Sequence, residues 1–167
     1  RSSKEKITGI KTGYVDLDAT TNGFQRGDLI ILAARPSVGK TAFALNVALQ
    51  ASLRNSGAVA IFSLEMSNQE LVQRLVINVS EIPGEKIKRG DLSNAEWKQL
   101  QTRIECLESA PIYIDDTANM SISELCSKAR RLSSERGIKC IIIDYLQLMK
   151  ASGMSYGSRE QEVSIIS

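Results

Sequence analysis

The segment Ala34-Arg35-Pro36-Ser37-Val38-Gly39-Lys40-Thr41 has the residue types and spacing that hold a phosphate chain. In a loop of this kind successive backbone N–H groups turn inward around the β-phosphate, at the positive end of the helix that follows. Lys40 would reach the β- and γ-phosphates, and the Thr41 hydroxyl would meet Mg²⁺. ATP and Mg²⁺ are therefore the expected ligands, bound by Ala34, Arg35, Pro36, Ser37, Val38, Gly39, Lys40 and Thr41. The common form of the motif opens on glycine, and Ala34 stands there instead, so the backbone at that point needs no positive φ. The plainer reading is a helix start that happens to carry Gly-Lys-Thr; the flanking residues weigh against it.

Two carboxylates follow apolar runs, and ligands of open α/β sheets lie just beyond the carboxyl ends of such strands. Asp144 closes Cys140-Ile141-Ile142-Ile143 and fits the Walker B position, where its oxygen orients Mg²⁺ through bound water. Glu65, in Ser63-Leu64-Glu65-Met66-Ser67, stands where a carboxylate could orient the water that attacks a γ-phosphate. A solvated residue in a strand-to-helix turn fits Glu65 equally well on these grounds alone. Asp115 and Asp116 also close a strand; capping and loop hydrogen bonds are their expected work, with a place at the edge of the Mg²⁺ site as the lesser option.

The elements that must position these groups alternate between strand and helix, the mark of a parallel α/β sheet. Leu29-Ile30-Ile31-Leu32-Ala33 has the composition of a buried strand, and 42–49 that of a packed helix. A turn at Asn55-Ser56-Gly57 leads to a strand over 58–64. Capping boxes Ser67-x-x-Glu70, Ser93-x-x-Glu96 and Ser121-x-x-Glu124 open three helices. The first carries Leu71, Leu75 and Val79 and is broken by Pro83-Gly84. The second carries Trp97, Leu100, Ile104 and Leu107 at helical spacing, which places Trp97 in the core. The third carries Ile122, Leu125, Ala129 and Leu132 and stops at Gly137. A Gly/Ser-rich loop over 151–157 precedes a further helix from Ser158-x-x-Gln161.

The 167 residues are one domain's worth and long enough for a sizeable core. Hydrophobic residues at 43% and charged residues at 24% are ordinary for a globular protein. No apolar stretch approaches the roughly 20 residues of a membrane span, and Arg1-Ser2-Ser3-Lys4-Glu5-Lys6 is no signal peptide, so a cytoplasmic protein without a membrane role is expected. A net charge of +2 neither argues for nucleic acid nor against it. The absence of histidine excludes histidine catalysis and His-ligated zinc. Cys106, Cys126 and Cys140 lack metal-ligand spacing and are expected buried and reduced.

Gly9-Ile10-Lys11-Thr12-Gly13-Tyr14-Val15-Asp16-Leu17-Asp18, the loop 34–41, Ser63-Leu64-Glu65-Met66-Ser67, Ile112-Tyr113-Ile114-Asp115-Asp116 and Ile141-Ile142-Ile143-Asp144-Tyr145-Leu146-Gln147-Leu148 together resemble the ATPase domain of DnaB-type bacterial replicative helicases. The likeness runs from about residue 7 to the end and covers Ala34, since the loop of that family resembles Ala-Arg-Pro. It implies a RecA-like P-loop NTPase core, a homo-hexameric ring with ATP sites between subunits, and 5′ to 3′ movement on single-stranded DNA. It also implies primase and helicase-loader partners for the full-length protein, and makes Glu65, with Lys40, the expected catalytic group, Thr41 and Asp144 serving Mg²⁺.

Family members continue past the Walker B loop into a sensor strand, DNA-binding loops and an arginine finger. In the RecA-like order the strand after Walker B lies between the Walker B and phosphate-loop strands, so the sheet within 7–167 is expected to be incomplete and the piece alone weak or inactive. Residues 1–6 read as the end of an inter-domain linker. For DNA the sequence offers the loop from Lys150 to Arg159, which reads equally as a mobile surface loop, while Lys86, Lys88 and Arg89 read as a solvated face. Recombinase-like and clock-like ATPases share Gly-x-x-Thr-Gly-x-x-x-Leu-Asp and stay as alternatives, as does a non-catalytic nucleotide-binding assembly module.

Overall fold

The computed structural model describes residues 7–35, 37–54 and 57–145. Its centre is a parallel sheet of three strands, β1 (Ala58–Ser63), β2 (Ile112–Asp115) and β3 (Ile138–Asp144), in the spatial order β2-β1-β3. In register, Phe62 pairs with Asp115 and Ser63 with Asp144, so the three strands finish at one end of the sheet.

Side chains of β1 alternate between two apolar layers because successive residues of a strand point to opposite faces. Val59 and Ile61 meet helices α2 (Lys40–Arg54) and α3 (Asn68–Ser80) through Leu45, Leu49, Leu71 and Leu75. Ala60 and Phe62 meet α6 (Ile122–Arg136) through Leu125 and, beside it, Met120. Every residue of β1 is buried, as expected of a central strand covered on both faces. The short helices α1 (Val15–Thr21) and α4 (Gly84–Arg89) and the longer α5 (Asn94–Glu108) complete the described elements.

Local signals set the helix ends. Ser67 and Ser93 each accept from the backbone N–H three residues on, while Glu70 and Glu96 reach back to the cap backbone; both capping boxes are closed. At Ser121 only half of the box forms, because Glu124 turns toward Lys128, 3.6 Å away. Gly137 ends α6 in the left-handed conformation. Pro83 does more than break α3: it is the N-cap of α4.

Several expectations are corrected. Residues 29–33 form no strand and are exposed, Leu29 at 82% and Ile31 at 81%. A strand is held by ladder hydrogen bonds to a neighbour, and no described strand lies beside this segment to supply them. Trp97 is 48% exposed, since α5 packs on α3 in an outer layer and buries only Leu100 fully. Cys106 is exposed on the same helix, and Cys126 and Cys140 are half-buried; all three are free thiols. The Gly/Ser-rich loop, the helix after Ser158 and the linker residues 1–6 lie outside the described residues, as do Asn55 and Ser56 of the predicted turn. Among the described residues no helix is long and apolar enough to cross a membrane.

Candidate nucleotide site

Of the phosphate-loop segment, Ala34, Arg35, Ser37, Val38 and Gly39 are exposed, and α2 begins at Lys40. Ser37 and Gly39 have positive φ, 65° and 102°, while Ala34 is not among the residues that do. The sharp turns of this loop thus fall after its first position, and alanine is accommodated there. Pro36 lies outside the described residues.

Lys40 and Thr41 point toward the end of β3. Thr41 Oγ1 donates to Asp144 Oδ2 at 2.7 Å, and Lys40 Nζ lies 3.7 Å from Asp144 Oδ1. Lys40 also sits over the ring of Tyr145, 4.5 Å from its centroid, a cation–π contact. Asp144 is buried at the foot of this cluster, whereas Lys40 is partly open to solvent. The sequence-expected trio Lys40, Thr41 and Asp144 is therefore one contiguous group. Tyr145, which the sequence offers only as part of the motif around Asp144, joins this group; its place directly after the strand-ending carboxylate was the available signal.

Glu65 lies in the turn two residues beyond Ser63, which is paired with Asp144, so Glu65 follows the strand end next to that of Asp144. Glu65 itself is exposed. Its loop is fastened at both ends: Leu64 N–H donates to the Asp144 carbonyl at 2.8 Å, and Ser63 Oγ both donates to the Met66 carbonyl at 2.7 Å and accepts from Met66 N–H at 3.1 Å. Ser63 is a further residue that sequence reasoning passed over, although a serine at the end of a wholly apolar strand is itself a sign of local hydrogen bonding.

Asp115 and Asp116 turn away from Lys40 and Thr41. Asp115 bonds Lys128 Nζ at 2.8 Å and the N–H and hydroxyl of Thr117. Burial works against the Asp115 carboxylate, but Lys128 and Thr117 outweigh it and hold its pKa below the usual range. Asp116 Oδ2 accepts from Asn68 N–H at 2.7 Å, at the start of α3. The capping reading of this pair thus describes the contacts they make. A groove of about 310 Å³ lined by Tyr113, Asp115, Lys128 and Arg131 lies between β2 and α6, on the side of the sheet opposite α2, and is separate from the phosphate loop.

Hard oxygen donors, a hydroxyl and a carboxylate in contact beside a lysine, suit Mg²⁺ with a triphosphate. Among the described residues no group of three His, Cys, Asp or Glu side chains gathers to hold a metal alone, so such an ion would depend on phosphate oxygens for its remaining ligands.

A parallel sheet flanked by helices, with a phosphate-loop sequence entering one helix and carboxylates at or just beyond the ends of two neighbouring strands, defines the P-loop fold of RecA-like build. More particularly, the chain belongs to the DnaB-like helicase C-terminal domain family, whose model matches residues 9–167. It is 51% identical over 162 residues to the replicative DNA helicase DnaB of Geobacillus stearothermophilus, covering 97% of this chain and 36% of that protein. It is 49% identical over 164 residues to the replicative DNA helicase DnaC of Bacillus subtilis, covering 98% and 36%. Among solved structures it resembles a DnaB-like replicative helicase studied with primase, with a TM-score of 0.89, 36% identity and coverage of 99% of this chain and 41% of that one. A second solved structure, of an ATPase domain, matches with a TM-score of 0.88, 36% identity and coverage of 99% and 59%. The chain thus spans about a third of the length of these curated relatives.

Proposed function

We propose that this chain is the nucleotide-binding part of an ATP-driven replicative helicase motor. The observation that carries this reading is the contact of Thr41 with Asp144, with Lys40 beside them, at the end of a parallel sheet. Lys40 and the loop amides of 34–41 hold the β- and γ-phosphates. Thr41 and Asp144 would hold Mg²⁺, Asp144 through water, and the bound ion would neutralise charge on the phosphates. Glu65 accepts the proton of the attacking water from its place beside Asp144.

In the full-length protein six copies form a ring with ATP sites between neighbours, and hydrolysis drives movement 5′ to 3′ along single-stranded DNA in the cytoplasm. The family resemblance and the replicative-helicase relatives support this, as does the primase studied with one structural relative. The loop from Lys150 to Arg159 is the proposed DNA contact. The arginine finger that the family resemblance implies for the ring would be worth several powers of ten in phosphoryl transfer.

The test is DNA-stimulated ATP hydrolysis by the full-length protein carrying this domain. Lys40→Ala is expected to abolish nucleotide binding, and Glu65→Gln to bind ATP without cleaving it. Turnover indifferent to DNA would count against the helicase reading and favour a nucleotide-binding assembly module, and an undiminished rate in Glu65→Gln would remove Glu65 from the chemistry.

A further inference from the structure

Glu65 is exposed, and a carboxylate free to wander is a poor base, because misplacement by about 1 Å can cost two powers of ten in rate. Its backbone, however, is pinned from three directions. Leu64 N–H is bonded to the end of β3 through the Asp144 carbonyl. The buried Ser63 hydroxyl closes the turn around Glu65 by bonding both the N–H and the carbonyl of Met66. On the far side of the turn Asp116 receives the Asn68 N–H at 2.7 Å, across 48 residues of sequence. The segment bearing Asp116 is in turn anchored to α6, since the neighbouring Asp115 bonds Lys128 and Thr117.

We propose that Ser63 and Asp116 are positioning residues for Glu65: together they hold the turn between β1 and α3 so that the base keeps its place beside Asp144. The inference rests on the proposed role of Glu65. In this role Asp116 acts by accepting the Asn68 N–H, a charge-assisted bond stronger than a neutral one. Any oxygen acceptor of similar reach preserves that function in part, which separates it from an electrostatic role at the phosphates.

The experiment measures steady-state ATP turnover with saturating single-stranded DNA in the full-length protein, comparing wild type with Asp116→Ala, Asp116→Asn, Ser63→Ala and Glu65→Gln. ATP·Mg²⁺ affinity is read separately in the Glu65→Gln background, with and without Asp116→Ala. Expected are a fall in kcat of about tenfold for Asp116→Ala and Ser63→Ala, a KM for ATP within about twofold of wild type, and recovery of most of the rate in Asp116→Asn. Melting temperature is followed alongside; should Ser63→Ala fail to fold, the exposed Asp116 pair carries the test alone. Wild-type kcat in Asp116→Ala, equal losses in Asp116→Ala and Asp116→Asn, or a loss confined to KM would each overturn the inference. If Glu65→Gln keeps its rate, the role of Glu65 itself has failed. If Glu65→Gln is inactive and Asp116→Ala is normal, only the positioning inference has.

Discussion

The Thr41 hydroxyl donates to the Asp144 carboxylate at 2.7 Å across 103 residues of sequence, tying the first turn of the phosphate-loop helix to the end of β3. Under the proposed function these two oxygens face one ion. Asp144→Asn keeps the size and one acceptor but removes the charge. Its DNA-stimulated turnover should fall by about 10²–10³, the range seen when one electrostatic stabiliser is removed from an active site. Nucleotide binding without Mg²⁺ should change little, because Lys40 and the loop amides are left in place. Titration of ATP with and without chelator in the variant checks both halves.

Asp18 is a structural carboxylate. It is 5% exposed and accepts from the fully buried Thr12, through N–H at 2.8 Å and hydroxyl at 2.7 Å, and from Gly13 N–H at 3.3 Å. This knot shapes the turn that stacks Tyr14 on Phe43 of the phosphate-loop helix, ring centroids 4.9 Å apart. Asp18→Ala leaves several donors without an acceptor, at about 1–3 kcal/mol for each one that stays buried, so a loss of about 3 kcal/mol is expected. Asp18→Asn, which retains one acceptor oxygen, should lose less. Urea unfolding of the two variants measures the difference, with an unchanged denaturant slope as the sign that stability alone has moved.

Gly13 in the same turn has φ of +88°, a conformation that side chains disfavour, and a Cβ there would lie 2.5 Å from Cγ of Gln50. The Gln50 side chain can move, but the backbone strain cannot be relieved. Gly13→Ala should therefore destabilise by about 1–2 kcal/mol, readable as a lower melting temperature.

The exposed pair Lys86–Glu96 links α4 to the cap of α5 at 2.7 Å. The Lys86 ammonium, followed by the Ser93 N–H and hydroxyl, lowers the Glu96 pKa from 4.5 to about 2. A carboxylate whose folded pKa is depressed contributes stability above its unfolded value and loses it as pH falls through the folded one. The contribution of Glu96 is thus complete above about pH 4.5 and lost between there and about pH 2. Lys86→Met should flatten this part of the acid limb, more visibly at low salt than at high salt. Denaturation midpoints at about pH 6 and about pH 3 in each protein check it.

Leu29 and Ile31 project into solvent from a run that also exposes Ile30 and Leu32, and Ile141 of β3 is 44% exposed. Contiguous apolar surface of this kind drives association. The 167-residue chain should self-associate in a concentration-dependent way, and Leu29→Lys with Ile31→Lys should shift it toward monomer in light scattering. A monodisperse unmodified chain at high concentration would count against this account of the segment.

Much of the site was legible in the residues because its parts are local. Gly39-Lys40-Thr41 ahead of a helix, a carboxylate closing an apolar run, and Ser-x-x-Glu before helical spacing each depend on neighbours within a few positions, and β1, β2, β3, α2, α3, α5 and α6 follow from them. The segment 29–33 shows the limit: its composition is that of a strand, but a strand exists only beside another, and no local pattern states whether the partner is present. Trp97 shows it again, since helical spacing identifies an inward face without telling how deep the layer beneath it lies. Tertiary structure alone decided that Thr41 meets Asp144, that Ser63 stands opposite Asp144 across the sheet, and that Asp116 caps α3. Those contacts join residues far apart in the chain, and they are set by the order and register of parallel strands, which depend on how helices pack over both faces of the sheet and not on any one segment.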